Sequence, residues 1–573
     1  MFKISIWLKD GRLGFYVTLL LRSIAYGVVP ALTLLFSFEV KTQNPFTSID
    51  SLFYPYSERE GPGYVLGIVQ DGDLVYSKAY GLANLDYGIP LSDSSAFYIG
   101  SMAKQFTAAA LLILESEGKL SLTDKITKYF PDFPKYGKPI TLKHLLYHTS
   151  GIREAYSLAL FQGFDPNFEE VYSTEDIVEL MLSQQELNFI PGEEYRYSSG
   201  GYSILAKVIE LVSQKSFRDF ANEYIFDPLE MNSTFVCDDH NEIVPNRAVS
   251  YFPITDSTFE RRVQVFDAYG DGGIITTLED LVKWDQAFYS DAFGIPNFSD
   301  KMYEVGHLNN GTDLTYARAL NVWEYRGERV VQHNGGMLGF RVDLVRFPHQ
   351  NTSIILLGNQ AFLNPTGDAL KVADKLLDFE ENQSMAGNKN EGLMLSPVAA
   401  NEFIGTYFFD DWNNWKKITY KDSTIYIDGD QPIYRNENGT YQANVFGTLS
   451  DIIFSNDSLF IRNDYWKREG RRIDDTPPQS KNELEKFIGE YYSPELNTTH
   501  RFYWNKGQFV MQISDKDPII LYPDPTDNRV NWNSKDKVWI GFAMVRFVFN
   551  EDGDVLGYNI GDFRVKQVLF QKK

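Results

Sequence analysis

The 573-residue sequence predicts an α+β domain, in which an antiparallel sheet packs against a helical cluster, followed by two small β-barrel-like units. Three observations carry this prediction. Strand patterns lie at both ends of the first domain, helical patterns lie between them, and the last third is strand-like with an internal repeat. The resulting predicted segments are 1–45, 46–380, a linker over 381–397, and two β-units over 398–480 and 481–573.

The first domain begins with a predicted hairpin. Tyr64–Val69 and Leu74–Tyr76 flank Asp71-Gly72, a dipeptide typical of tight hairpin turns. A helix is predicted from apolar residues at helical spacing, namely Tyr202, Leu205, Val208, Ile209 and Val212. Strand patterns return late in the domain, at Val330–Gln332, Phe340–Phe347 and Ile354–Leu357.

The β-rich last third contains the repeat. Phe403-Ile404-Gly405-Thr406-Tyr407 recurs as Phe487-Ile488-Gly489-Glu490-Tyr491, and each copy precedes a hairpin pattern of alternating apolar residues. Two small units that close their own sheet edges fit this repeat. The pattern leaves open whether they form two cores or one.

Composition excludes several classes of protein. A net charge of -23 without a basic stripe excludes nucleic acid as the partner, because a polyanion would be repelled. The single cysteine, Cys237, excludes an internal disulfide and a cysteine-rich metal site. No motif calls for a cofactor, and oligomeric state is left open.

The N-terminus indicates export. Lys3, Lys9 and Arg12 precede an apolar run from Leu13 to Phe38 that is interrupted only by Arg22. Basic residues before such a run orient the remainder of the chain outward. An uncleaved membrane anchor is slightly favoured over a cleaved signal, which predicts a periplasmic or cell-surface protein associated with the membrane.

The candidate nucleophile is Ser101 in Ser101-Met102-Ala103-Lys104, at the head of an apolar helix. Residues three apart share one face of a helical turn, so the hydroxyl and the amine can touch. Lysine can act as a base toward serine when burial depresses its pKa. Such a pair also needs a second proton-handling group and an oxyanion hole.

Two later segments provide candidates for these roles. Tyr197 lies in a loop just before a helix, and His333-Asn334-Gly335-Gly336 lies between strand patterns, where glycines allow substrate to approach the backbone. The His144 and His148 pair has the spacing of zinc ligands but lacks the glutamate of that motif, so we predict no metal. Asp267 and Asp271 flank Tyr269-Gly270 and have side chains that can ligate a cation, but loop turn chemistry is the favoured explanation.

These motifs together resemble class C β-lactamase-like serine hydrolases and penicillin-binding-protein-related peptidases. The segments that carry the resemblance are Phe97–Thr107, Leu145–Gly151, Tyr197-Ser198-Ser199, Gly272–Leu281 and His333-Asn334-Gly335. The second and third catalytic motifs of that family are Tyr-x-Asn and either Lys-Thr-Gly or His-x-Gly. The repeated β-region resembles, more weakly, the lipocalin-like domains that follow such hydrolases in D-aminopeptidase-type proteins.

The resemblance implies a role for each matching residue. Ser101 would attack a carbonyl carbon and form an acyl-enzyme, while Lys104 shares the serine proton and holds Tyr197 near its ionised form. Tyr197 would then act as general base and return the proton to the leaving group. The backbone N–H groups of Ser101 and Gly336 would form the oxyanion hole.

Two residues depart from the family pattern. Ser199 stands where the family has asparagine, and His333 stands where β-lactamases have lysine. A neutral imidazole holds a substrate carboxylate less firmly than an ammonium does, which disfavours an antibiotic substrate. The predicted substrate-binding residues are Ser199, His333, Gly335 and Arg341, although an arginine on a strand is more often part of a surface ion pair.

These expectations define an exported serine hydrolase that cleaves an amide or an ester in a small substrate. A peptidase acting on D-amino-acid or cell-wall-type peptides is favoured, by resemblance alone. A carboxylesterase is the alternative among enzymes. A catalytically silent binding protein that keeps the fold is the alternative of another class.

Overall fold

The computed structural model describes most of the chain in two units. The described residues are 2–9, 12–19, 32–38, 45–57, 60–164, 171–255, 257–379, 400–409, 414–428, 431–435, 440–445, 448–455, 457–462, 467–473, 481–523, 529–532, 543–562 and 564–573. One unit spans Met1–Tyr54 and the other spans Pro55–Lys573. The predicted linker over 381–397 lies outside the described residues.

The N-terminal unit contains a three-stranded antiparallel sheet of its own. Its strands are Phe2–Lys9, Arg12–Leu19 and Leu32–Phe38. Within the described residues, none of the helices combines the length and the apolar character needed to cross a membrane.

A seven-stranded antiparallel sheet organises the first domain of the larger unit. In spatial order its strands are Asn321–Tyr325, Glu328–Gln332, Phe340–Phe347, Thr352–Gly358, Tyr64–Gln70 and Asp73–Tyr80, with Gly335–Met337 also paired to Phe340–Phe347. The predicted hairpin is confirmed, and positive φ angles at Asp71 and Gly72 form its turn. Strands from both ends of the domain therefore share one sheet.

Helices cover both faces of this sheet. Asp343 and Arg346 lie on opposite faces of one strand, as expected for residues an odd number of positions apart. Asp343 bonds to Thr366 on helix Pro365–Leu376, whereas Arg346 bonds to Asp285 on helix Leu278–Gln286. On the Arg346 face, Val342 and Leu344 belong to the hydrophobic cluster that also contains residues of the helical cluster.

The remaining helices of the unit surround an apolar core. Their bounds are Lys104–Ser116, Leu142–Leu146, Ala155–Gln162, Thr174–Ser183, Ser199–Ser213, Phe217–Ala221, Phe298–Met302 and Lys481–Leu484, and helix Pro45–Ser57 bridges the two units in sequence. Short strands pair in four small groups: Phe97–Tyr98, Phe235–Val236 and Ile274–Thr276; Ser250–Pro253 and Phe259–Arg262; Tyr172–Ser173 and Phe266–Asp267; Leu82–Asn84 and Ile89–Pro90.

The first β-domain is a nine-stranded barrel-like sheet. In spatial order its strands are Gln431–Pro432, Thr424–Ile427, Asn414–Lys421, Gly405–Phe409, Lys467–Ile473, Ser458–Arg462, Thr448–Ser455, Tyr441–Val445 and Tyr434–Arg435. It has a hydrophobic cluster of its own, which includes Tyr407, Ile418 and Ile461.

The second β-domain is a closed barrel of eight strands. They are Gly489–Ser493, Thr498–Asn505, Gln508–Ile513, Ile519–Pro523, Arg529–Trp532, Ala543–Phe549, Val555–Gly561 and Val568–Lys572. Each strand pairs with the next and the last with the first, which is the up-and-down arrangement of lipocalin barrels. The predicted fold class, an α+β β-lactamase-like domain followed by two β-barrel units, is confirmed.

The sequence repeat has a structural counterpart. The Tyr407 hydroxyl donates to the carbonyl of Phe403 at 3.1 Å, and the Tyr491 hydroxyl donates to the carbonyl of Phe487 at 2.8 Å. Each repeat copy therefore begins its barrel with the same tyrosine-to-backbone bond. The two cores differ, because the buried residues of the second barrel belong to one continuous cluster with the core of the first domain.

Candidate active site

The candidate nucleophile lies in a short 3-10 turn, Gly100–Ala103, which leads directly into helix Lys104–Ser116. Ser101 is partly exposed, whereas Gly100 and Met102 beside it are buried. Gly100 has a φ of 51°, and a Cβ there would lie 2.8 Å from the backbone nitrogen of Gly336. Only glycine fits both that conformation and that close approach.

Strand Gly335–Met337 lies against this turn. A Cβ on Gly335 would lie 1.8 Å from the carbonyl oxygen of Ile99, so a side chain there would force the strand away from the nucleophile. The two glycines, Gly100 and Gly335, thus permit the backbone of Gly336 to lie beside that of Ser101. This proximity suits the predicted oxyanion hole, which requires two backbone N–H groups that converge on one oxygen.

Lys104 points back at Ser101 from the first turn of its helix. Its Nζ donates to Ser101 Oγ at 3.1 Å and to the carbonyl oxygen of Asp271 at 2.6 Å. Burial lowers the pKa of Lys104 to about 8; the Arg564 guanidinium lowers it further, while Asp271 and Glu154 oppose the shift. A substantial fraction of the amine is therefore neutral near pH 8, which is the state that accepts a proton.

Tyr197 lies two residues before helix Ser199–Ser213, with its hydroxyl oxygen buried. Burial raises the pKa of Tyr197, although the neighbouring Ser101 hydroxyl and the Arg564 guanidinium act in the opposite direction. The phenol is therefore protonated at rest. This differs from the expectation that Lys104 holds Tyr197 near its ionised form, because removing the phenol from water raises its pKa more than Ser101 and Arg564 lower it.

His333 is buried between the strands that precede and follow it. Its Nδ1 lies 2.7 Å from the carbonyl oxygen of Asn334, so Nδ1 carries the proton and Nε2 accepts from the Tyr316 hydroxyl at 3.1 Å. Burial lowers the pKa of His333 to about 3, and the charge of Lys104 adds to the effect. The imidazole is neutral across the physiological range and brings no positive charge to the site.

Ser199, which stands in place of an asparagine, begins its helix in contact with an acidic residue. Its backbone N–H donates to Glu154 Oε2 at 2.8 Å. Glu154 Oε1 is buried and has no hydrogen-bond partner among the described residues, and burial raises the pKa of this carboxyl. The lysine ammonium finds its carbonyl acceptor at Asp271, so an amide at position 199 is not required for that bond.

Arg341 makes hydrogen bonds to the turn between strands Gly335–Met337 and Phe340–Phe347. Its Nη1 donates to the carbonyl oxygens of Leu338 and Phe340 at 2.9 and 2.6 Å. Along its strand, Arg341 shares a face with Asp343, which bonds to helix Pro365–Leu376 on the side of the sheet away from the helical cluster. These bonds stabilise a turn, and a role for Arg341 in binding substrate stays a prediction.

His148 is a neighbour of Tyr197 that sequence reasoning did not place in the site. Its ring centroid lies 4.1 Å from that of Tyr197, and its Nδ1 accepts the backbone N–H of Ser198 at 3.1 Å. His144 instead caps its own short helix, where Nδ1 accepts the N–H of Thr141. Among the described residues, no group of three or more histidine, cysteine, aspartate or glutamate side chains is placed to hold a metal ion.

Asp271 also belongs to the site. Besides accepting from Lys104 through its carbonyl, it accepts from the Tyr156 hydroxyl at 2.7 Å and the Ser203 hydroxyl at 3.2 Å through its carboxylate. Asp271 directly precedes Gly272–Leu281, one of the segments that carry the family resemblance. That position is the sequence feature that indicates a place in the site. Glu154 follows another such segment by three residues.

The second β-domain reaches the same site. Arg564, in the loop that joins the last two barrel strands, places its guanidinium carbon 5.3 Å from the centroid of the Tyr197 ring. No pattern in the sequence links position 564 to Tyr197, because the link depends on how the barrel docks. The site therefore draws on residues from both domains.

The fold and this site together define a serine hydrolase. The family model described as Beta-lactamase matches residues 49–378, more than half of the chain. The chain belongs to the beta-lactamase family, and it is an enzyme of that serine hydrolase group.

Relatives and a solved structure agree with this assignment. Penicillin-binding protein 4* of Bacillus subtilis (strain 168) is 27% identical over 409 residues, covering 67% of this chain and 88% of that protein. A D-aminopeptidase of Brucella anthropi is 28% identical over 326 residues, covering 56% of this chain and 59% of that protein, so the match spans less than two thirds of that relative. The octameric penicillin-binding protein homologue from Pyrococcus abyssi has the same fold, with a TM-score of 0.54, 22% identity, and coverage of 74% of this chain and 100% of that chain.

Proposed function

We propose that this hydrolase forms an acyl-enzyme on Ser101, with Lys104 as the proton acceptor and Tyr197 as the proton donor to the leaving group. The observation that carries the proposal is the 3.1 Å bond between the buried Lys104 Nζ and Ser101 Oγ. A lysine with a pKa of about 8 is available as the neutral amine near pH 8, so it can accept the serine proton as Oγ attacks.

The proton path follows from the two pKa directions. Neutral Lys104 accepts the hydroxyl proton as Ser101 Oγ bonds to the carbonyl carbon of the substrate. Tyr197, protonated at rest, gives its proton to the leaving nitrogen or oxygen as the scissile bond breaks, and the Lys104 ammonium then returns a proton to Tyr197. The N–H groups of Ser101 and Gly336 are the proposed donors to the oxyanion, a contribution of about 3–4 kcal/mol for one such donor.

The proposed substrate is a small peptide of the D-amino-acid or cell-wall type. The D-aminopeptidase and the penicillin-binding protein among the relatives support this class. The neutral His333 favours a peptide or ester over a substrate held by a strong carboxylate clamp, which keeps carboxylesterase activity as the second candidate. The basic residues before the apolar run from Leu13 to Phe38 support export to the periplasm or cell surface.

A fluorophosphonate probe tests the acyl-enzyme proposal. We expect covalent labelling of the unmodified protein, loss of labelling in Ser101→Ala and Lys104→Ala, and full labelling in Ser94→Ala, which removes an exposed serine as a matched control. Absence of labelling together with absence of turnover on short-chain esters would support the silent binding protein instead.

A substrate panel then separates the two enzyme candidates. Peptides and amides with an N-terminal or C-terminal D-alanine are compared with p-nitrophenyl esters by kcat/KM. Faster acylation by the peptides, relative to the uncatalysed reactions, supports the peptidase. Turnover of the esters without turnover of any peptide assigns a carboxylesterase.

A further inference from the structure

Two positive charges from different domains lie close to the ring of Tyr197. Lys104 Nζ is 5.1 Å from the ring centroid, and the guanidinium carbon of Arg564 is 5.3 Å from it. Lys104 comes from the nucleophile helix, whereas Arg564 comes from the second β-domain. Cations at this distance interact favourably with an aromatic ring, and more strongly with a ring that carries negative charge.

The loop that carries Arg564 is held at both ends of that residue. Asp562 Oδ1 accepts the backbone N–H groups of Arg564 and Val565, each at 2.7 Å. The buried amide of Asn188, from the first domain, donates to the carbonyl of Arg564 at 2.7 Å and accepts the N–H of Lys566 at 2.8 Å. Asn188 of the hydrolase domain thus fixes the backbone on the C-terminal side of the arginine, and Asp562 of the barrel holds its N–H, so the guanidinium is directed onto Tyr197.

The groups facing Tyr197 divide clearly by charge. They are the cations Lys104 and Arg564, the carboxyls Glu154 and Asp271, the imidazoles His148 and His333, and the phenols Tyr202 and Tyr316. Burial lowers the pKa of both imidazoles far below neutrality, so neither contributes positive charge. Within this group the positive charge comes from Lys104 and Arg564.

We propose that Arg564 is a positioning residue of the acyl-transfer site, by which the second β-domain provides a second positive charge beside Tyr197. The inference rests on the proposed function. In that reaction Tyr197 becomes a phenolate after it gives its proton to the leaving group and before Lys104 returns one. Arg564 stabilises this transient anion at the moment when His333, being neutral, does not.

The proposal predicts the direction in which the pH dependence of kcat/KM changes when Arg564 is removed. Arg564 lowers the pKa of both Lys104 and Tyr197, so its removal raises both and moves the acidic limb of the kcat/KM profile to higher pH. Lys104 Nζ and the Arg564 guanidinium carbon are at most about 10 Å apart, because each lies close to 5 Å from the Tyr197 centroid. At an effective dielectric constant of about 20, a unit charge at that separation shifts a pKa by roughly one unit. At a pH below the limb, that shift corresponds to about a tenfold loss of kcat/KM.

The test compares three variants of the full-length protein across pH 5 to 10. Arg564→Met removes the charge and keeps an apolar stem, Arg564→Lys keeps the charge, and Lys566→Gln removes an exposed charge from the same loop. We expect the limb to move upward by about one unit in Arg564→Met only. Arg564→Lys should restore most of the rate, and Lys566→Gln should match the unmodified protein.

Two results would overturn the inference while leaving the proposed function intact. One is an unchanged acidic limb in Arg564→Met, with labelling of Ser101 retained. The other is a rise in KM alone, because it would make Arg564 a substrate-binding residue. Gel filtration and thermal unfolding show whether the Arg564→Met protein is misfolded. If it is, Arg564→Lys decides: an acidic limb of kcat/KM at the pH of the unmodified protein supports the inference, and a shifted acidic limb overturns it. Absence of Ser101 labelling in the unmodified protein would overturn the proposed function and this inference together.

Discussion

A buried ion pair is one of the contacts that dock the second β-domain on the first domain, and its removal should loosen that domain measurably. Arg153 Nη1 lies 2.7 Å from Glu495 Oε2, with the two side chains 2% and 9% exposed. The same carboxylate oxygen accepts the backbone N–H of Gln185 at 3.1 Å, and Arg153 also donates to Gln184. Among the residues that the structure describes, Arg153→Met therefore leaves the buried Glu495 carboxylate with the N–H of Gln185 as its hydrogen-bond donor.

The expected magnitude follows from this burial. Leaving one member of a buried ion pair without its partner costs about 3–5 kcal/mol. The exposed pair between Arg261 and Asp86, at 3.2 Å with side chains 58% and 55% exposed, is the matched control, and its loss should cost about 0.2–1 kcal/mol. A change of 3 kcal/mol in the opening free energy corresponds to roughly 100-fold faster exchange of the protected amides.

Hydrogen–deuterium exchange measured by mass spectrometry is the assay, read on peptides that span Glu495 and His500. His500 Nε2 donates to the carbonyl of Phe161 at 2.7 Å across the same interface, so its neighbourhood reports on docking. We expect Arg153→Met to accelerate exchange there, Arg261→Met to leave it unchanged, and the double variant Arg153→Met with Glu495→Leu to recover most of the protection. Equal exchange in Arg153→Met and Arg261→Met would refute the reasoning.

Three further predictions concern the site and the sheet. In the unmodified protein kcat/KM should rise with pH up to about pH 8, where Lys104 becomes neutral; a limb near pH 10, measured with a chromogenic ester, would contradict this assignment. Gly335→Ala should reduce Ser101 labelling by on the order of 100-fold, because its Cβ would lie 1.8 Å from the carbonyl oxygen of Ile99. Gly336→Ala should reduce labelling less, because its Cβ would lie 3.4 Å from the flexible side chain of Arg341. Equal losses of labelling in the two variants would argue against the close approach. Burial raises the pKa of Asp343 to about 7, so the folded state still holds a proton that the unfolded state has released above about pH 4. The free energy of unfolding therefore falls as the pH rises from about 4 to about 7, by up to about 1.4 kcal/mol per pH unit. Thermal unfolding at pH 5 and pH 7.5 should show that decline, and Asp343→Asn should remove this contribution.

Local patterns predicted the elements that depend on neighbouring residues in the chain. The hairpin around Asp71 and Gly72, the helix that follows Ser199, and the paired copies at Tyr407 and Tyr491 appear where turn chemistry and apolar spacing indicate. Each of these features depends on one short segment, so the sequence of that segment predicts it without knowledge of the tertiary fold.

The contacts that the sequence did not reveal depend on packing between distant segments. The bond from Lys104 to Asp271 is made to the backbone carbonyl, a group that every residue possesses, so the residue type does not predict it. The protonated state of Tyr197 follows from the burial of its hydroxyl oxygen. The spacing of residues along the sequence does not indicate whether a single atom is buried. Arg564 enters the site from a separate barrel, far along the chain from the motifs.

Two adjacent residues, Arg153 and Glu154, contact both the second β-domain and the residues that follow Tyr197. The guanidinium of Arg153 binds Glu495 of the second β-domain, while its own carbonyl accepts the Ser198 hydroxyl at 3.2 Å. The next residue, Glu154, accepts the N–H of Ser199. These bonds hold the two residues that directly follow Tyr197 through the same short stretch that anchors the barrel. Because the barrel also carries Arg564 to the Tyr197 ring, a shift of the barrel would alter both the position of the phenol and the charge beside it.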